Sequence, residues 1–205
     1  MLNIDNKKWE ETEAIEYGEY ETLELGGHAC IIRNADIYRS EQSGNESLRV
    51  QVDIDTSDKQ AGFFKKQFDN DTRSDKKWSN GATKYFSLKE ENLGMLKGLI
   101  TAVENSNSGF KFDMDESKLK GKKIAGVFGW EEYEKQDGTT GVATKLVQIR
   151  SLDKLNEIKI PRVKKLDGSF VDYEQYKNHR ATASAEEIFG SSIVETDTGD
   201  VPFEI

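Results

Sequence analysis

The chain has 205 residues, a hydrophobic fraction of 35% and a net charge of −9, enough for one good core with unpacked sequence around it. One cysteine, Cys30, excludes an intrachain disulfide, and two histidines, His28 and His179, exclude a clustered zinc site or a histidine-based triad. No apolar run is long enough to span a bilayer.

The first 25 residues carry a net charge of −6, with no clean periodicity, and read as an acidic arm. The start, MLNIDNKKWEETEAIEY, is acidic where a secretory signal would be basic and then apolar, so the expected location is the cytoplasm. Gly26 and Gly27 separate this arm from a long hairpin. In its second half Leu48, Val50, Val52 and Ile54 alternate with Arg49, Gln51 and Asp53, the period of a half-buried strand. In its first half Cys30 and Ile32 fit one face, and Ile37 joins them only if a bulge falls near Asn34 and Ala35. Ser43, Gly44 and Asn45 supply the turn.

After turn formers at 55–58, the aromatic run AGFFKKQFD predicts a third strand, and NDTRSDKKWSNG (70–81) predicts a long basic loop around Trp78. Leu93, Leu96, Leu99, Ile100 and Val103 then recur at helical spacing, with Ser87 and Glu90 as a capping box and Gly109 near the end. A short helical turn is expected before Lys122. The segment IAGVFGWEEYEKQDGTTGVATKLVQIRSL reads as a second hairpin turning at Asp137 and Gly138. Glycines 126 and 129 allow curvature there. Residues 167–205, with a net charge of −7, read as a flexible acidic tail. The middle, residues 26–166, is left with +4.

The expectation is therefore a mainly β protein with one amphipathic helix. The order β-β-β-α-β-β is that of a five-stranded OB-like barrel. Fold does not fix function, and the site is argued from residues. Single-stranded nucleic acid requires cations along the phosphates and flat rings beneath the bases. The middle interleaves both: Tyr38 with Arg39, Phe63 and Phe64 with Lys65 and Lys66, Lys76 and Lys77 with Trp78, and Lys84 with Tyr85 and Phe86. Phe63, Phe68, Phe86, Phe128 and at least one tryptophan are expected to fill the core. Trp78 and Tyr38 are the expected exposed stackers, and Arg49 adds a cation on the outward face of its strand. Trp130 and Tyr133 are weaker candidates, since Glu131, Glu132 and Glu134 repel phosphate.

No enzymatic signature competes. The run DNDTRSD lacks the glycine and closing glutamate of a calcium loop. The glycines at 121–129 lack the lysine and hydroxyl of a phosphate loop, and Asp53 with Asp55 reads as a solvated face. A non-catalytic chain without metal or cofactor is expected.

The chain ends TDTGDVPFEI. Acids followed by Val-Pro-Phe resemble the carboxy-terminal tip of bacterial single-stranded DNA-binding proteins, where acids precede Ile-Pro-Phe. The resemblance implies that Asp197, Asp200, Val201, Pro202 and Phe203 recruit replication and recombination proteins. Glu204 and Ile205 follow Phe203, so a pocket that clamps a terminal Phe carboxylate would not receive it. The body, through GGHACIIRNADIY, LKGLITAVENSNSGF, KLKGKKIAGVFGWEEYE and IPRVKKLDG, is similar to a family encoded by phages and prophages of low-GC Gram-positive bacteria. That resemblance implies a single-stranded DNA-binding component of phage replication and recombination, acting in the host cytoplasm. Expected partners are single-stranded DNA, proteins that read the tail and, if the chain self-associates, a second copy; no membrane is expected. The rival is a phage interaction module that binds a host replication or defence protein through its acidic ends, without DNA.

Overall fold

A computed structural model describes residues 5–11 and 21–180 of the chain. A short helix, α1 (Asn6–Glu11), is followed by the long hairpin of β1 (Gly26–Arg39) and β2 (Glu46–Ile54). Ile32 pairs with Val52 and Asn34 with Gln51, so Arg33 is the extra residue of a bulge, just ahead of its expected place. The bulge keeps Cys30, Ile32 and Ala35 on the buried face while Asn34, Asp36 and Tyr38 follow one another on the other. Leu48, Val50, Val52 and Ile54 are all buried, as their alternation requires.

The run expected as a third strand is a helix, α2 (Phe63–Asn70). Phe63 and Phe64 are buried and Phe68 lies half-buried one turn on, an apolar stripe at helical rather than strand spacing. Gly62, at φ 69°, makes the left-handed entry that a side chain would strain. The unpaired amides of the first turn are met from outside the helix: Asp53 Oδ1 accepts from Phe64 N at 3.1 Å and Lys65 N at 3.3 Å. The third strand is instead β3 (Thr83–Ser87), antiparallel to β2.

The amphipathic helix is α3 (Leu93–Ser106), with Leu99 and Val103 buried and Leu93 exposed at its start. The expected capping box is not formed. Ser87 Oγ accepts from Lys89 N and Asn92 Nδ2, and a 3-10 turn, Glu90–Asn92, leads into the helix. The expected helical turn before Lys122 is the 3-10 turn Glu116–Leu119. The second hairpin is β4 (Lys123–Glu134) and β5 (Thr140–Arg150), with Gly138 at φ 79° in its turn. Two short strands follow, β6 (Val163–Lys164) and β7 (Phe170–Val171).

These strands form a seven-stranded mixed sheet in the order β3-β2-β1-β4-β6-β7, with β5 on the other edge of β4. Only β4 and β6 run parallel. The sheet is open. Among the described residues no ladder joins β3 to β5, so the expected closed five-stranded barrel is not formed by backbone pairing. The two edges nonetheless approach each other: Lys84 Nζ donates to Val147 O at 2.7 Å, and a Cβ on Gly81 would lie 2.7 Å from Thr144 O. The core between them holds Phe63, Phe64, Phe86, Leu99 and Phe128.

Part of the expected flexible tail is folded. Residues 167–171 turn and enter β7, and 173–180 are helical, with Tyr173 edge-on to Trp130 at 5.2 Å and Tyr176 at 6.3 Å. Burial of the Trp130 ring supplies the apolar contact that the polar composition of this stretch conceals. The tip residues Asp197, Asp200, Val201, Pro202 and Phe203 lie outside the described residues.

Candidate nucleic-acid interface

Antiparallel register places three rows on the outer face of β1, β2 and β3. Asp36, Arg49 and Tyr85 lie directly opposite one another; Tyr38, Ser47 and Ser87 form the next row, and Asn34, Gln51 and Thr83 the third. Arg49 Nε donates to Asp36 Oδ1 at 3.0 Å, and its guanidinium carbon lies 5.4 Å from the Tyr38 ring centre. The Asp36 hydrogen bond holds Arg49 above the ordinary guanidinium value. Tyr38 and Tyr85 meet edge to face, with centroids 5.3 Å apart. Both remain accessible, at 37% and 47% exposure.

The two rings line an open groove of about 850 Å³. The hairpin tip contributes Ser40, Ser43 and Asn45, and the stretch before α3 contributes Lys89 and Asn92. Lys145 and Glu131 close its far side. Exposed rings, hydroxyls and amides with cations at the rim are the groups that stack bases and hold phosphates.

The residues expected from sequence to form one site fall into two groups. Tyr38 and Arg49 belong to the sheet face. Arg39 is exposed at the end of β1, opposite Glu46. Lys84 reaches the groove but is turned inward between Val50 and β5; burial pushes its ammonium below the ordinary lysine value, and its contact is the Val147 carbonyl. Lys65, Lys66, Lys76, Lys77 and Trp78 lie apart from the groove, on α2 and the segment after it. Lys65 pairs with Asp69, Lys66 with Glu21, and Lys76 lies 4.7 Å from the Phe68 ring centre.

Trp78 is not the exposed stacker expected. It is half-buried against the core, 5.7 Å from Phe68 between centroids, and its Nε1 donates to Val52 O at 3.1 Å. A large ring beside an apolar helix face finds more area there than in solvent. Tyr85, named beside Lys84 but not expected as an exposed stacker, lines the groove together with Lys89 and Lys145, which sequence reasoning did not single out. For Tyr85 the signal was present: Phe86 is buried, so its strand neighbour faces outward.

Asp53 and Asp55 are not a solvated face. They are 3% and 4% exposed. Asp53 caps α2. Asp55 accepts from the Ser57 backbone and hydroxyl and from Lys123 Nζ; burial opposes ionisation, yet these bonds hold its carboxyl below the ordinary value. Both carboxylates thus have structural partners on Oδ1, and among the described residues no group of three or more His, Cys, Asp or Glu side chains is placed to hold a metal ion. Cys30 is fully buried, and burial pushes its thiol far above the ordinary value, as for a small core hydrophobe. Among the described residues no helix is long and apolar enough to cross a membrane.

No family model matches the sequence, and no curated protein matches it.

Proposed function

We propose that the chain is a non-catalytic single-stranded DNA-binding protein whose interface is the groove over the outer face of β1, β2 and β3. The observation that carries this reading is the accessible Tyr38–Tyr85 pair with Arg49 over one ring, in a groove rimmed by Lys89 and Lys145. Each ring offers a base a stacking surface worth about 1–3 kcal/mol. The lysines add contacts that weaken with salt through counterion release. In this reading the approach of β3 to β5 at Gly81 and Lys84 curls the sheet into an OB-like barrel, whose ligand lies across its second and third strands. The sequence likeness to the phage replication and recombination family supports the same role in the host cytoplasm, with the acidic tip recruiting partners.

The test is an anisotropy titration of labelled oligo-dT and a matched duplex at low and moderate salt. Salt-sensitive binding that favours the single strand, lost on Tyr38→Ala with Tyr85→Ala, supports the reading; no binding to either at low salt defeats it. A second reading, an adaptor for a host protein, is favoured by Glu91 and Glu131 in the groove and by Lys65 and Lys66 each facing an acid. It becomes the working reading if DNA binding fails.

A further inference from the structure

Successive residues of β4 point to opposite faces, and the strand serves two cavities. Glu131 lines the groove described above, whereas Glu132 faces a separate pocket of about 380 Å³. That pocket lies where the end of the second hairpin meets β7 and the helical segment 173–180; its walls include Thr140, Lys165, Val171, Tyr176, His179 and Arg180.

The polar groups of this pocket are unequally satisfied. Glu132 is committed on both oxygens: Oε1 accepts from the Tyr176 hydroxyl at 2.8 Å and Oε2 from Leu166 N at 3.0 Å. These bonds lock the helical segment and the β6–β7 turn onto β4. Asp167, whose carboxyl the Ser169 bonds and then the Lys165 charge hold below the ordinary value, accepts from Ser169 N at 2.8 Å. Lys165, His179 and Arg180, by contrast, form no salt bridge among the described residues, and Lys165 is half-buried. Two permanent cations and an imidazole therefore face one concavity with a single lining carboxylate, Glu132, whose negative charge remains and which the two permanent cations outnumber by one. The half-buried position of Lys165 strengthens its attraction for an anion, while His179 and Arg180 stand exposed at the rim. The Thr140 hydroxyl adds a donor, while Val171 and the Tyr176 ring give an apolar wall of the kind a nucleoside covers.

We propose that this pocket binds a phosphate monoester carried on a nucleoside: the phosphate between Lys165 and Arg180, the nucleoside against Tyr176 and Val171. The source is a free mononucleotide or the phosphorylated end of a strand, since both present the same group. The site does not depend on the groove, which lies on the other face of β4.

Calorimetric titration of the full chain with dTMP, thymidine and inorganic phosphate tests it. Binding of dTMP at least tenfold tighter than of either fragment is expected. Lys165→Ala with Arg180→Ala removes that preference, whereas Tyr38→Ala leaves it intact. A 5′-phosphorylated oligo-dT competing with dTMP, where the 5′-hydroxyl oligonucleotide does not, identifies the strand end as a source; failure to compete restricts the site to free nucleotides. Both variant positions are on or near the surface, and unchanged far-UV circular dichroism certifies their fold. Equal affinity for dTMP and thymidine, no binding of dTMP, or undiminished binding by the double variant overturns the proposal. Failure of oligo-dT to bind the groove would leave the dTMP result standing.

Discussion

The Nδ1 atom of His28 lies 3.1 Å from Oδ1 of Asp58, and its Nε2 lies 3.1 Å from the backbone oxygen of Glu24. The imidazole is 2% exposed and stands edge-on to Phe128, with centroids 5.7 Å apart. Asp58 also accepts from Ala29 N and Gln60 N, so one carboxylate ties β1 to the turn between β2 and α2. Replacing it leaves the buried donors on that side unmet. Asp58→Ala is expected to destabilise the fold by about 2–4 kcal/mol. Urea denaturation checks this as a lower midpoint at unchanged slope; an unchanged midpoint would mean that the three donors find other partners.

Asp53→Ala removes the acceptor that caps α2 from a neighbouring strand. A lost cap costs about 1–2 kcal/mol. Because Phe63 and Phe64 enter the core from that first turn, near-UV circular dichroism of the variant should weaken together with its urea midpoint.

Tyrosine and tryptophan replacements separate binding from packing. Tyr38→Ala and Tyr85→Ala are expected to lower oligo-dT affinity by about 1–3 kcal/mol each, with little loss of stability. Trp78→Ala should do the reverse, costing about 2–4 kcal/mol of stability through lost packing against Phe68 and the lost bond to Val52. Parallel anisotropy and denaturation curves on the three variants decide it.

Burial, followed by the bond to Glu132, pushes the Tyr176 phenol up to about 12. The folded state therefore favours its protonated form more than the unfolded chain does. The resulting stability is fully present below about pH 10, the ordinary tyrosine value, and is lost as pH rises towards 12. An absorbance titration of phenolate should show a late-ionising step that is absent in Tyr176→Phe.

Local periodicity was enough for the elements whose burial is one-sided. Leu48, Val50, Val52 and Ile54 alternate because one face of β2 is core, and Leu99 and Val103 recur because one stripe of α3 is. The same logic failed at Phe63 and Phe64. Adjacent phenylalanines suit a strand buried on both faces as well as a helix N-terminus, and the deciding cap comes from Asp53, outside the segment. Trp78 failed for a related reason: a basic, aperiodic run gives no sign that a ring within it will reach Phe68.

The sequence by itself determined the β-rich order of two hairpins around an amphipathic helix, the bulge in the first strand and the acidic flanks of a mildly basic middle, since each follows from the spacing or count of residues along the chain. Tertiary structure alone decided which cations keep a free charge. Lys65 and Lys66 meet acids, Lys84 meets a carbonyl, and Lys89 and Lys145 reach the groove. Charge is a property of the residue, but what neutralises it depends on which strands and helices the fold sets beside it.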